Sequence, residues 1–170
     1  MPPINVTVAP LTADDPDLDA VHRIERTSLS PAGHSGVGDQ LQQPFTHAWV
    51  AREAGSRSPR GFIVTWLVAD ELHVLDVATD PQFRRQGVGR ALMNAAMGFA
   101  RSHGVRLLLL EVRRHNRPAV QLYRTLGFTV SRLRSGYYDD GEDALEMTLV
   151  LDPETGDIVP GVDEVQLEEA

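Results

Sequence analysis

Apolar positions along the chain follow two spacings. A two-residue alternation over Ile4–Leu11 (Ile4, Val6, Val8) predicts a first strand. Thr46–Arg52, Gly61–Ala69 and Leu72–Thr79 predict three more. The turn-rich Ala54–Arg60 separates the first two, and Asp70-Glu71 marks a hairpin before the third. Helical spacing joins Leu18, Val21, Ile24 and Leu29 behind Asp14-Asp15-Pro16, where a carboxylate can cap orphan amides and proline fits the first turn. The same spacing is clearest over Gly87–His103, with Val88, Leu92, Ala95 and Phe99 on one stripe and Gly104 just past the end. Arg106–Arg113, with four consecutive leucines, reads as a strand covered on both faces. Asn116 and Pro118 open another helix that Gly127 ends. Phe128–Arg134 and Ala144–Leu151 are the last strands, around the loop Ser135–Asp143. Ser30–Gly38 reads as a loop leading into a short helix through Gln43.

The order β, helices, βββ, α, β, α, ββ predicts a mixed α/β fold of about seven strands and about four helices. At 170 residues the chain suits one domain, taken as 1–151. Residues 152–170 hold seven acids, no base and three turn-formers, and are expected to form a mobile, solvated tail. Removing those seven acids from the total of 24 leaves 17 against 16 basic residues, so the tail carries most of the net charge of −8 and nucleic acid is not suggested as a partner. Every basic residue is arginine. The lack of lysine excludes a Walker-type phosphate loop and Schiff-base chemistry, and the lack of cysteine excludes thiolate zinc sites and a cysteine nucleophile. No apolar run approaches the roughly 20 residues of a membrane span, and Met1–Pro10 does not read as a leader, so a cytoplasmic protein is expected. The histidines show no metal spacing; His22, His34 and His47 read as solvated side chains, and no metal site is expected.

The most informative stretch is Asp76–Leu92, DVATDPQFRRQGVGRAL. A strand ends, a turn follows, and Arg84-x-x-Gly87-x-Gly89 opens the long helix. Glycines there let main-chain amides approach a ligand, and the helix start adds orphan N–H groups and positive dipole, an arrangement that favours a diphosphate. Arg85 and Arg90 add charge. The plainer alternative is a pair of ordinary cap glycines. A dinucleotide site would need a third glycine where Leu92 stands, which favours another diphosphate ligand.

This motif resembles the acyl-CoA-binding motif of the GNAT superfamily of N-acetyltransferases, and the β-α-β-α-β order around it matches. Leu107–Phe128 (LLLLEVRRHNRPAVQLYRTLGF) with Gly136-Tyr137-Tyr138 resembles the bacterial ribosomal-protein-alanine N-acetyltransferases within it. The resemblance implies a mostly antiparallel, twisted sheet flanked by helices, and acetyl-CoA as cosubstrate. It implies that Val77, Ala78 and Thr79 pair with the pantetheine arm, one of their amides polarising the thioester carbonyl. Arg85, Gln86, Gly87, Val88, Gly89 and Arg90 would hold the diphosphate, and Asn116, also a plausible helix cap, would contact the cofactor near its thioester.

Glu111 shares a strand face with Leu107 and Leu109 at the strand's C-terminal end, where α/β proteins place ligands. An acid beside apolar walls is harder to ionise, which would give it useful proton-acceptor strength. The resemblance implies that Glu111 is the general base; the alternative is a salt bridge to Arg113 or Arg52. Tyr123, at core-like helical spacing, is implied to protonate the departing thiolate. Tyr137 and Tyr138, otherwise an ordinary hairpin with partly buried rings, are implied to grip the first residues of the acceptor, with Asp139 and Asp140 placed to attract a basic residue. Thr27–Pro44 departs from the family pattern, which bears on acceptor specificity and not on the cofactor motif. The expected activity is direct acetyl transfer in a ternary complex to a protein N-terminal α-amine, by a monomer or homodimer. The alternatives are a lysine side chain, polyamine or aminoglycoside as acceptor, or a non-catalytic acyl-CoA sensor.

Overall fold

The computed structural model describes residues 2–29 and 36–167. Among the described residues it is a mixed α/β fold of eight strands and four helices, in two compact units. The first unit comprises Met1–Val68 and Val74–Phe99, the second Ala69–His73 and Ala100–Ala170. His34 lies outside the described residues.

In the first unit the strand order is β1 (Val6–Pro10), β2 (Thr46–Glu53), β3 (Pro59–Val68), β4 (Glu71–Thr79). β1–β2 and β2–β3 pair antiparallel, with Val6 opposite Glu53 and a bulge between Ala51 and Arg52. Helix α1 (Leu18–Ser28) lays Val21 and Ile24 against Val50, Phe62 and Val64, all buried. On the opposite face of β3, Gly61 admits helix α3 (Val88–Ser102). A Cβ at Gly61 would lie 2.6 Å from the Ala78 carbonyl oxygen and 2.8 Å from Val88, so no larger residue fits without displacing backbone.

The expected carboxylate cap of α1 is absent. Asp17 occupies the cap position without a side-chain bond to the helix. Asp15 Oδ1 accepts from the Asp17 amide at 2.9 Å, one residue ahead of the helix, and Asp15 and Asp17 together hold Arg52 at 2.9 and 3.2 Å. Helix α2 (Val37–Gln40) is opened by Glu25, whose Oε2 accepts from the Val37 amide at 2.7 Å.

In the second unit β5 (Leu107–Arg113), β7 (Ala144–Leu151) and β6 (Thr129–Arg134) lie in that order, all antiparallel. Leu108, Leu110 and Val112 are buried, while Leu107, Leu109 and Glu111 share a half-buried face. The leucine run is therefore not enclosed equally on both sides. Helix α4 (Arg117–Leu126) begins at Asn116, whose side chain accepts from the Ala119 amide at 3.3 Å, and ends at Gly127 in the left-handed conformation (φ +105°).

Residues 152–167 of the acidic segment pack onto the second unit. Asp152–Asp157 closes a turn, and Ile158–Val159 forms an eighth strand, β8, on β7. Asp163 then accepts from the Val130 amide at 2.9 Å and pairs with both terminal nitrogens of Arg124, while the Glu164 amide donates to the Val130 carbonyl at 2.8 Å. Both main-chain groups of Val130 are thereby satisfied on an edge strand that would otherwise expose them. Overall acidity concealed the apolar pair Ile158–Val159.

Candidate active site

The turn after β4 is shaped by the main chain. Asp80 caps a short 3-10 helix (Pro81–Phe83), accepting from the Gln82 amide at 3.0 Å. Arg84 is extended, Arg85 turns left-handed at φ +61°, Gly87 does so at φ +88°, and α3 starts at Val88. Left-handed residues interleaved with ordinary ones make successive amides converge, which is how backbone builds an anion cradle. For Arg85, a side-chain-bearing residue, that conformation costs about 1–2 kcal/mol, a strain typical of ligand-binding turns.

Gln86 and Val88 are buried, whereas the Arg84, Arg85 and Arg90 side chains are exposed around the loop. Of the predicted pantetheine strand, Ala78 is buried, Val77 is half-buried, and the Thr79 carbonyl accepts from Ser28 Oγ at 3.0 Å. Gly89 and Arg90 form the first turn of α3.

The second unit carries the candidate acid–base groups. Glu111 at the end of β5 is not walled in by apolar residues; its side chain is 29% exposed. It accepts a hydrogen bond from the Tyr137 hydroxyl, a contact that holds the Tyr137 proton more tightly than usual. The predicted alternative partners, Arg113 and Arg52, are engaged elsewhere: Arg113 with Asp140 and Glu142 (2.8 Å each) and Arg52 with Asp15 and Asp17. The cation at Glu111 is Arg134. Its buried Nε stands 3.6 Å from Glu111 Oε1, and its Nη2 lies 3.1 Å from Glu146 Oε2. Glu111 and Glu146 face each other across β5 and β7, so two like charges sit on a cross-strand pair and Arg134 lies between them. Sequence reasoning missed Arg134 and Glu146; the signal, a cross-strand pair of acids, becomes visible only once the register is known.

Tyr123 on α4 is buried at 8% exposure, with its ring 6.0 Å from that of Phe128. Burial, with a smaller contribution from Tyr138, pushes its hydroxyl up to about 12. Tyr138, half-buried with Arg113 over its ring at 4.1 Å, is likewise pushed up to about 12, chiefly by burial. Tyr137 is half-exposed and meets Tyr138 edge-to-face at 5.1 Å. Of the acids beyond the tyrosines, Asp140 and Glu142 pair with Arg113 and Asp143 pairs with Arg114. His115 pairs with Glu142 at 3.2 Å. Among the described residues no group of three or more His, Asp or Glu is arranged to hold a metal ion, and no helix is long and apolar enough to cross a membrane.

Residues 18–128 match the acetyltransferase (GNAT) family. A protein of Bacillus subtilis (strain 168), provisionally named a ribosomal protein bS18-alanine N-acetyltransferase, is 34% identical over 138 residues, 79% of this chain and 90% of that one. The ribosomal protein bS18-alanine N-acetyltransferase of Escherichia coli (strain K12) is 42% identical over 91 residues, 52% of this chain and 62% of that one. The crystal structure of the ribosomal-protein-S18-alanine N-acetyltransferase from Escherichia coli matches with a TM-score of 0.75 at 29% identity, covering 96% of this chain and 100% of that one. With well over half of its length inside the family match, the chain belongs to the acetyltransferase (GNAT) family.

Proposed function

We propose that this protein transfers an acetyl group from acetyl-CoA to the N-terminal α-amine of a protein, with a ribosomal protein beginning in alanine as the favoured acceptor and the cytoplasm as the setting. The observation that carries the reading is Glu111: a part-exposed carboxylate at a strand end, hydrogen-bonded by a tyrosine of the loop assigned to the acceptor. The similarity to the bS18-alanine enzymes supports the choice of acceptor.

The Arg85–Arg90 amides and guanidiniums hold the diphosphate, and Val77–Thr79 align the pantetheine arm. A terminal amine has an ordinary pKa near 8 and arrives largely protonated. Glu111 removes that proton; Arg134 and Tyr137 hold the carboxylate in place. The amine then attacks the thioester carbon, the C–S bond breaks as the C–N bond forms, and the nitrogen's second proton passes to the departing sulfur or to solvent, leaving a neutral amide and CoA. No cysteine exists to carry the acetyl group, which excludes a cysteine acyl-enzyme and supports direct transfer.

Tyr123 serves the leaving sulfur as a hydrogen-bond donor. Full proton transfer from a phenol near 12 to a thiolate of ordinary pKa near 8.5 would run uphill by about 5 kcal/mol. Tyr137 and Tyr138 contact the acceptor's first residues, and Asn116 serves both α4 and the cofactor.

The test is incubation with acetyl-CoA and three acceptor sets: alanine-initiated ribosomal peptides, N-terminally blocked lysine peptides, and polyamines with aminoglycosides. Thiol release and the mass of the acetylated fragment are then followed. Acetate on the α-amine is expected. Acetylation confined to lysine or small amines overturns the acceptor assignment, and CoA binding without turnover on any set makes the protein a sensor.

A further inference from the structure

The glycine loop is tied to a part of the chain that lies far from it in sequence. Asn5 extends the β1–β2 ladder by one step, its carbonyl accepting from the Ala54 amide at 2.9 Å. One residue earlier, the Ile4 amide donates to the Gln86 carbonyl at 3.1 Å. Pro3 lies beside Gly87: a Cβ built on the glycine would stand 3.9 Å from Pro3 Cβ. Prolines 2 and 3 have no N–H, so Ile4 carries the first main-chain donor after them.

The direction of this bond matters. In a trans peptide the C=O and N–H of one unit lie in a plane and point opposite ways. Anchoring the Gln86 carbonyl on Ile4 therefore turns the Gly87 N–H the other way, out of the loop on the side away from the N-terminal segment. The same peptide sits between the two left-handed residues, Arg85 and Gly87, and so is the unit whose rotation would undo the cradle. On its C-terminal side the Gly87 carbonyl is already held by the Ala91 amide at 3.0 Å. Ile4 supplies the hold on the N-terminal side.

We infer that the Pro3–Ile4 segment is a brace for the diphosphate loop, and that Ile4 is a positioning residue acting through its main-chain N–H to aim the Gly87 amide at the ligand. This rests on the diphosphate reading of the loop given above. The two prolines restrict the segment, which lowers the conformational entropy lost when it is laid in place. The strain at Arg85 then persists because the two peptides on either side of Gly87 are each held by a hydrogen bond.

The experiment compares wild type with Ile4→Pro, which removes the N–H, and Ile4→Val, which keeps it. CoA affinity is measured by calorimetry, and amide hydrogen exchange is read at Ala91, whose amide is bonded to the Gly87 carbonyl, and, as a control, at Ala9 in the β1–β2 ladder. We expect Ile4→Pro to weaken CoA about five-fold, the worth of one ordinary hydrogen bond, and to speed exchange at Ala91 while Ala9 stays protected. Ile4→Val should keep both properties near wild type. Unchanged CoA affinity in Ile4→Pro, equal weakening in Ile4→Val, or loss of protection at Ala9 together with Ala91 would each overturn the brace. Absence of CoA binding by wild type would instead strike the diphosphate reading, while the exchange data would still decide whether Ile4 holds the loop.

Discussion

The glycine loop of the first unit and the carboxylate cluster of the second are made of different materials. The loop works through main-chain geometry: two left-handed residues, a clamped peptide and a helix start. The cluster works through side chains drawn from β5, β6, β7 and the β6–β7 connection, with Arg134 set between two acids that face each other. Backbone cradles are encoded within a few consecutive residues. Charge clusters are encoded by register, across a separation of 23 residues between Glu111 and Arg134. The two should therefore fail differently, the loop through conformation and the cluster through chemistry.

The largest expected effect is chemical. Glu111→Gln keeps an acceptor for Tyr137 but removes the base, and should lower kcat/KM by about 100-fold or more with CoA affinity unchanged. Retained activity would mean that the proton leaves by another route. Gly87→Val tests the loop. A β-branched residue at φ +88° costs a few kcal/mol or deforms the turn, so CoA should bind roughly ten- to a hundred-fold more weakly by calorimetry, without loss of fold.

Tyr123→Phe should be milder, about three- to ten-fold in kcat, because a thiolate needs little help to leave. A hydroxyl pushed up to about 12 stays neutral at any working pH. Tyr123 should accordingly give no alkaline limb to the rate profile, and an alkaline fall near pH 9–10 that Tyr123→Phe abolishes would contradict its role as hydrogen-bond donor.

The smallest effect concerns the C-terminal segment. For Asp163, burial alone would raise the carboxyl pKa, but the hydrogen bonds from Arg124 and the Val130 amide outweigh it and hold it below the usual 3.8. Its folded value is depressed, so its contribution is complete above the ordinary carboxyl range and fades as pH falls through the lowered value. Protection of the Val130 and Glu164 amides, taken relative to their intrinsic exchange rate at each pH, should fall as pH drops through that lowered value and the carboxylate is protonated. Asp163→Asn should remove that dependence and lower stability by about 1 kcal/mol or less, given its part exposure. Unchanged exchange in Asp163→Asn would show that β8 alone holds the segment.

How far each part could be read in advance follows from the same contrast. The strands and helices came through because alternation and helical spacing are local, and Asn116 and Gly127 bound α4 as their types suggest. The cap of α1 did not: Asp15 bonds the Asp17 amide ahead of the helix, and both acids pair with Arg52, which is remote in sequence. Residues 152–167 misled because acidity was taken for solvation while the pairing of Ile158–Val159 with β7 depends on an edge that no linear pattern announces.

The amino-acid order by itself determined the α/β class and the glycine turn into α3, which depend on neighbours within one turn or one strand, while Glu111 and Tyr123 were singled out as candidate base and phenol by the family resemblance of their segments. Only the tertiary structure decided which cation Glu111 meets, that Tyr137 bonds to it, and that the first residues of the chain reach Gln86. Those contacts join segments tens of residues apart, and their geometry exists only after strand pairing has set which side chains and amides face one another.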